Sequence, residues 1–132
     1  MSVKDPLTGH YNRTYFDPIL ARELDRSRRY GKKLSCLIMC IDYFDILIDT
    51  YGTEETDKFL KATGRILSEC CRSTDVVNRY NDNGFFVLLP NTDNQNAIQL
   101  AVRIRQNIAD PEFPVSLDSG KNTASIRVTS DP

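Results

Sequence analysis

The stretch from Arg79 to Pro90, RYNDNGFFVLLP, restricts the fold more than any other part of the chain. Before it, Asp75-Val76-Val77-Asn78-Arg79-Tyr80 has the β-branched and aromatic content of a short strand. After it begins, Phe85-Phe86-Val87-Leu88-Leu89 runs apolar without a break until Pro90 stops it. Between the two runs lie Asn81-Asp82-Asn83-Gly84, and Asn-Gly tolerates positive φ at both central positions of a tight turn. The spacing predicts a β-hairpin with a polar tip.

The other elements follow from periodicity and punctuation. Asp5-Pro6-Leu7-Thr8-Gly9 is turn chemistry. A helix is predicted from about Thr14 to Arg29, with Phe16, Ile19, Leu20 and Leu24 as its apolar stripe and Pro18 in its first turn. Its basic end (Arg26, Arg28, Arg29) suits the helix dipole, and Gly31 stops it. Leu34 to Ile41, LSCLIMCI, is almost unbroken apolar and predicts a central strand buried on both faces. A short helix after Asp42-Tyr43-Phe44 should end near Gly52, and a longer one should run from about Thr53 to Cys71. Asn91-Thr92-Asp93 supplies an N-cap for a helix reaching about Ala109, with Ala97, Leu100, Ala101, Ile104 and Ile108 on one face. Phe113 to Leu117 and Thr123 to Val128 predict a second hairpin around Asp118-Ser119-Gly120-Lys121-Asn122. Helices interleaved with strands make an α/β (α+β) domain, a central mixed sheet flanked by helices.

The chain of 132 residues is read as a single domain, residues 1–132, long enough to bury a core without staples. A net charge of -1 gives no overall pull towards nucleic-acid polymer or membrane. No apolar run approaches a membrane span and the N-terminus lacks a signal-like apolar segment, so a cytoplasmic setting is expected. The cysteines Cys36, Cys40, Cys70 and Cys71 lie in apolar stretches, and the one histidine is His10, so buried reduced thiols are expected rather than zinc ligands.

Several stretches together resemble one family. They are Asp5-Pro6-Leu7-Thr8-Gly9-His10-Tyr11-Asn12-Arg13, then Ile41-Asp42-Tyr43-Phe44 followed by Asp49-Thr50-Tyr51-Gly52 and Asp57, then Arg79-Tyr80 with Phe85 to Pro90. In this order and spacing they resemble the GGDEF, or diguanylate cyclase, family, whose members join two GTP into cyclic di-GMP. The resemblance implies a palm-like sheet similar to nucleotidyl cyclases, and usually a place beside other domains of a signalling protein. The family continues with a last helix that this chain lacks, which implies exposed apolar surface.

The resemblance also implies how the chain departs from a cyclase. The first metal-binding Asp corresponds to Cys40, a soft ligand ill suited to magnesium. The two glycines of the tip correspond to Asn81 and Asp82, its metal carboxylate to Asn83, and the following acidic residue to Gly84. The phosphate-contacting Lys corresponds to Asp45. The Asn that reads guanine corresponds to Ile48, with only its partner carboxylate, Asp57, kept. A degenerate domain follows as the expectation: not an enzyme, with no catalytic residues, no metal and no cofactor.

What is kept is an Arg-x-x-Asp before the hairpin, Arg72 and Asp75, which matches the family's product-binding inhibitory site, with Arg103 at a further arginine of the same site. A guanidinium bonds guanine O6 and N7 in bidentate fashion, and a carboxylate accepts from N1 and N2. The expectation is a cyclic di-GMP receptor or regulatory module, with a ligand-bridged or weak homodimer. The alternative is a scaffold for dimerisation or partner docking that binds no nucleotide.

Overall fold

The apolar run Leu34–Ile41 becomes an inner strand of a five-stranded sheet. The computed structural model describes residues 3–109 and 124–131. In chain order the elements are β1 Tyr11–Asn12, α1 Arg13–Tyr30, β2 Leu34–Ile41, α2 Phe44–Cys70, β3 Val76–Asn81, β4 Gly84–Pro90, α3 Asn94–Ala109 and β5 Ala124–Asp131. The sheet order is β1-β3-β4-β2-β5. β1 runs parallel to β3, and the remaining pairs are antiparallel, so the sheet is mixed as expected.

Alternation along β2 divides the core. Leu37, Met39 and Ile41 point to one face and pack with Phe59, Leu60 and Leu67 of α2 and Ala97, Ala101, Ile104 and Ile108 of α3. Leu34 and Cys36 point to the other, where Phe16, Ile19, Leu20 and Leu24 of α1 close over them with Leu88. The expectation that β2 is buried on both faces along its length is corrected here. Ile38 and Cys40 are only half-buried, because α1 covers the Leu34–Cys36 end and stops short of them. Beside them on β5, Ser125 and Arg127 are exposed.

The helices are close to those expected. α1 is capped by Asn12, whose side chain accepts from the Tyr15 amide at 3.3 Å. It begins one residue early, and Pro18 stands in its second turn, not in the first as expected. The Thr14 carbonyl thereby loses its intrahelical donor, at an exposed position where water serves. The short and long helices join as α2, but Gly52 interrupts the helix at φ 85 and ψ 166, where the sequence places the break.

The hairpin tip differs from the expected turn. Asn81 pairs with Gly84 and the turn is Asp82-Asn83, with positive φ at neither Asn83 nor Gly84. A register shift between Arg79 and Asn81 takes up the twist that an Asn-Gly turn would supply. Gly84 is required for space. A Cβ there would lie 2.5 Å from Asn81 Oδ1 and 3.1 Å from the Met39 carbonyl oxygen.

The first strand of the expected second hairpin, with its turn, lies outside the described residues. Ala124–Asp131 is a longer strand than expected, and it pairs with β2 along its length. Among the described residues no helix is long and apolar enough to cross a membrane. The four cysteines are free, and burial pushes the Cys36 and Cys71 thiols up to about 12.

Candidate functional site

Two places gather the residues singled out in the sequence. The first is the tip of the β3–β4 hairpin at the C-terminal end of β2. Cys40 pairs with Gly84 across the sheet, and the Ile41 amide donates to the Asn83 carbonyl at 2.9 Å. Arg79 holds the tip from beneath: Nε donates to the Asn81 carbonyl at 3.0 Å, Nη2 donates to the Asp82 carbonyl, and Nη1 donates to Asp5 Oδ2 at 3.2 Å. Arg79 and Asp5 are largely shielded, so this pair ties the N-terminal turn to the tip. Cys40, Asn81, Asp82, Asn83 and Gly84 therefore do come together. Asp45 and Ile48 stand on the first turns of α2, and Asp57 lies beyond the Gly52 break.

The divalent metal implied by the family resemblance finds poor donors at this tip. Its positions carry the Cys40 thiol and the neutral Asn83 amide, whereas a hard cation takes carboxylate and carbonyl oxygens. Two carboxylates stand near these positions, Asp82 in the turn itself and Asp42, which accepts from Ser125 Oγ at 2.6 Å.

The second place lies where α2 ends, and there the geometry is fuller. Arg72, Asp75 and Arg103 line one hollow of about 210 Å³ together with Leu89, Asn91, Thr92, Asn96 and Leu100. Arg72 is half exposed, while the Asp75 side chain is only 2% exposed. Asp75 accepts from the Arg72 amide at 2.8 Å, from Nε at 3.4 Å and from Nη2 at 2.9 Å. This hydrogen bonding raises the Arg72 guanidinium above its ordinary value. Nη2 also donates to the Pro90 carbonyl at 2.9 Å and to Thr92 Oγ1 at 2.7 Å. Arg103 Nη2 donates to the Cys70 carbonyl at 2.9 Å, capping the negative end of the α2 dipole.

The arrangement sets two guanidiniums beside one buried carboxylate whose oxygens are directed at Arg72. The hollow is cationic, and an anionic ligand suits it. In this arrangement Asp75 orients Arg72 rather than facing solvent, so it is not presented to accept from a base. Arg72 and Asp75 were legible in the sequence by spacing. Asn96, Leu100 and Arg103 recur at i, i+4 and i+7 of α3, a signal that could have marked one shared face. Thr92 and Asn91 carry no such signal, because only the turn after β4 brings them to Arg72.

The architecture defines the class first: an α+β domain with a mixed sheet, helices on both faces, and two polar sites at the ends of its strands. The chain belongs to the family described as "Diguanylate cyclase, GGDEF domain", whose model matches residues 2–130. Over 114 residues it is 32% identical to the probable diguanylate cyclase DgcC of Escherichia coli, covering 86% of this chain and 31% of that protein. The chain thus spans about a third of that relative. Among solved structures it is similar to diguanylate cyclase SiaD from Pseudomonas aeruginosa, solved in complex with its activator SiaC. That similarity has a TM-score of 0.86 and 30% identity, over 99% of this chain and 50% of the other. The GGDEF domain of DgcB from Caulobacter crescentus, solved with cyclic di-GMP, superposes with a TM-score of 0.90 at 20% identity. It covers 98% of this chain and 76% of the other, a likeness of fold.

These findings correct one expectation. The residues at the tip led to a chain that is not an enzyme, but the family is one of diguanylate cyclases and the DgcC and SiaD relatives bear that name. Family membership is carried by the core pattern and the motif order along residues 2–130.

Proposed function

We propose that this GGDEF domain binds cyclic di-GMP at the hollow formed by Arg72, Asp75 and Arg103. The observation that carries the reading is the convergence of two guanidiniums, one just after α2 and one on α3, on one hollow at the end of α2. Arg72 supplies donors to guanine O6 and N7 and Asp75 holds it in place. Arg103 offers a second cation to phosphate or to a second base, and Leu100 and Leu89 give the hollow an apolar wall against which a base can lie. The ligand carries two phosphodiester charges and two guanines, and the hollow offers cations and base-edge donors side by side. With a second guanine left outside the hollow, one ligand can bridge two domains.

Titration calorimetry of the domain with cyclic di-GMP tests the reading. Saturable binding is expected, with Arg72→Ala weakening it by about a hundredfold, since hydrogen bonds from a charged group contribute roughly 1.5–3 kcal/mol each. Arg103→Ala should weaken it by about tenfold. Absence of heat at high ligand concentration, in a folded protein, overturns the reading.

A further inference from the structure

The Arg72 guanidinium is engaged on both of its bidentate edges, fully on one and in part on the other. Its Nε and Nη2 edge faces Asp75 at 3.4 and 2.9 Å. The same Nη2 is directed at the Pro90 carbonyl and Thr92 Oγ1, at 2.9 and 2.7 Å. The face shared by Nη1 and Nη2, the edge left to match two adjacent acceptors, is therefore half occupied by the protein itself. The partner that takes it is rigidly held. Thr92 is 8% exposed, and its hydroxyl donates to the Pro90 carbonyl at 3.0 Å. Its carbonyl accepts from the buried Ser35 hydroxyl at 2.7 Å. Asp93 then caps α3 through the Asn96 amide at 2.8 Å, which fixes the far end of the turn. The exposed partner of the pair is Arg72, whose side chain is 54% exposed.

We propose that Thr92 is a positioning residue that holds Arg72 in a closed arrangement, so that a ligand entering the hollow competes with the Thr92 hydroxyl for the guanidinium. The inference rests on the reading of the hollow as a cyclic di-GMP site and adds what sets its affinity. In the closed arrangement Arg72 offers a ligand Nη1 alone. Bidentate recognition requires the Nη2 hydrogen to leave Thr92 and Pro90, and the affinity observed is lowered by the fraction of molecules that stay closed. Asp75 keeps its own bonds to Arg72 in both arrangements, because it lies on the opposite edge.

The test is titration of the domain with cyclic di-GMP in the native sequence, Thr92→Val and Thr92→Ser, with guanidinium 15N relaxation at Arg72 Nε measured without ligand. Thr92→Val keeps shape and removes the acceptor. It should tighten binding about fivefold, a part of what a hydrogen bond to a charged group contributes because Pro90 still accepts. It should also loosen Arg72 and lower or leave unchanged the thermal midpoint. Thr92→Ser should restore native affinity and native Arg72 order. A purely structural role for Thr92 would weaken binding as the fold loosens, the opposite sign. Binding by the native domain with Thr92→Val equal or weaker overturns the proposal while leaving the cyclic di-GMP site standing. Unchanged Arg72 relaxation in Thr92→Val overturns it too. Binding by none of the three folded proteins overturns the underlying reading, and with it this one.

Discussion

At the scale of single residues, Gly84 and Asn81 are a matched pair across the tip of the hairpin. The Asn81 side chain fills the space a Cβ at position 84 would need. Gly84→Ala should destabilise the domain by about 1 kcal/mol through overpacking. Asn81→Gly in the same chain should recover part of that loss, a coupling readable from a double-mutant cycle of denaturant midpoints. Additive effects would show that the Met39 carbonyl, not Asn81, sets the limit. Asn78 is a different kind of residue. It is fully buried on β3, and neither its amide nitrogen nor its oxygen has a partner among the described residues. An unpaired buried amide costs about 1–3 kcal/mol, and β-branched residues suit a strand. Asn78→Val is therefore expected to raise the unfolding midpoint. A lower midpoint would mean that a buried water completes the amide's bonds.

At the scale of elements, the N-terminal turn is fastened to α2 through one close approach. His10 Nε2 lies 2.8 Å from the Gly64 carbonyl and 3.2 Å from Ser68 Oγ, and its ring meets Phe85 edge-on. A Cβ on Gly64 would come within 3.3 Å of both His10 Cδ2 and Thr8 Cβ. Alanine is the better helix former by about 1 kcal/mol, so propensity alone favours Gly64→Ala. Packing opposes it, and with two neighbours needing to give way the variant should be no more stable than the native protein. Faster amide hydrogen exchange at residues 8–12, with α2 unchanged, is the expected signature. The contact of His10 with Gly64 and Phe85 was not legible in the sequence, because it joins residues more than fifty positions apart. Arg72-x-x-Asp75 was legible as a spacing, but that Asp75 is buried and committed to Arg72 depends on how α2 ends against the turn after β4.

At the scale of the whole molecule, stability should depend on pH through two thiols. Cys36 and Cys71 are raised by burial from near 9 to about 12 in the folded chain. Below about pH 9 both folded and unfolded thiols are protonated and contribute no pH dependence. Between about 9 and 12 the unfolded thiols ionise while the folded ones hold their protons, so stability falls as pH rises through that window. Denaturant midpoints measured across it should decline. The decline should be shallower in Cys36→Ala once its lower starting stability is subtracted. Cys36, buried and with its thiol pushed up, should be the slowest of the four towards alkylating reagents in the folded protein at pH 8, because Cys40, Cys70 and Cys71 are only half-buried. Mass spectrometry of partly labelled protein checks the order.

Local chemistry determined much of this molecule in advance. The apolar run of β2, the break at Gly52, the stripe of α3 and the strands on either side of the tip each depend on residues a few positions apart, so a sequence displays them directly. The mixed sheet follows from alternating helices and strands, and the motif order carries the family. Tertiary structure decided the rest, because it depends on groups that meet only when the chain closes. The turn became Asp82-Asn83 since Gly84 was needed beneath Asn81 and the Met39 carbonyl. β2 remained half open at Ile38 and Cys40 because α1 crosses one end of it. At the cationic hollow, the sequence could name Arg72, Asp75 and Arg103. Only the approach of the turn after β4 brought Thr92, twenty residues from Arg72, within hydrogen-bonding reach of it.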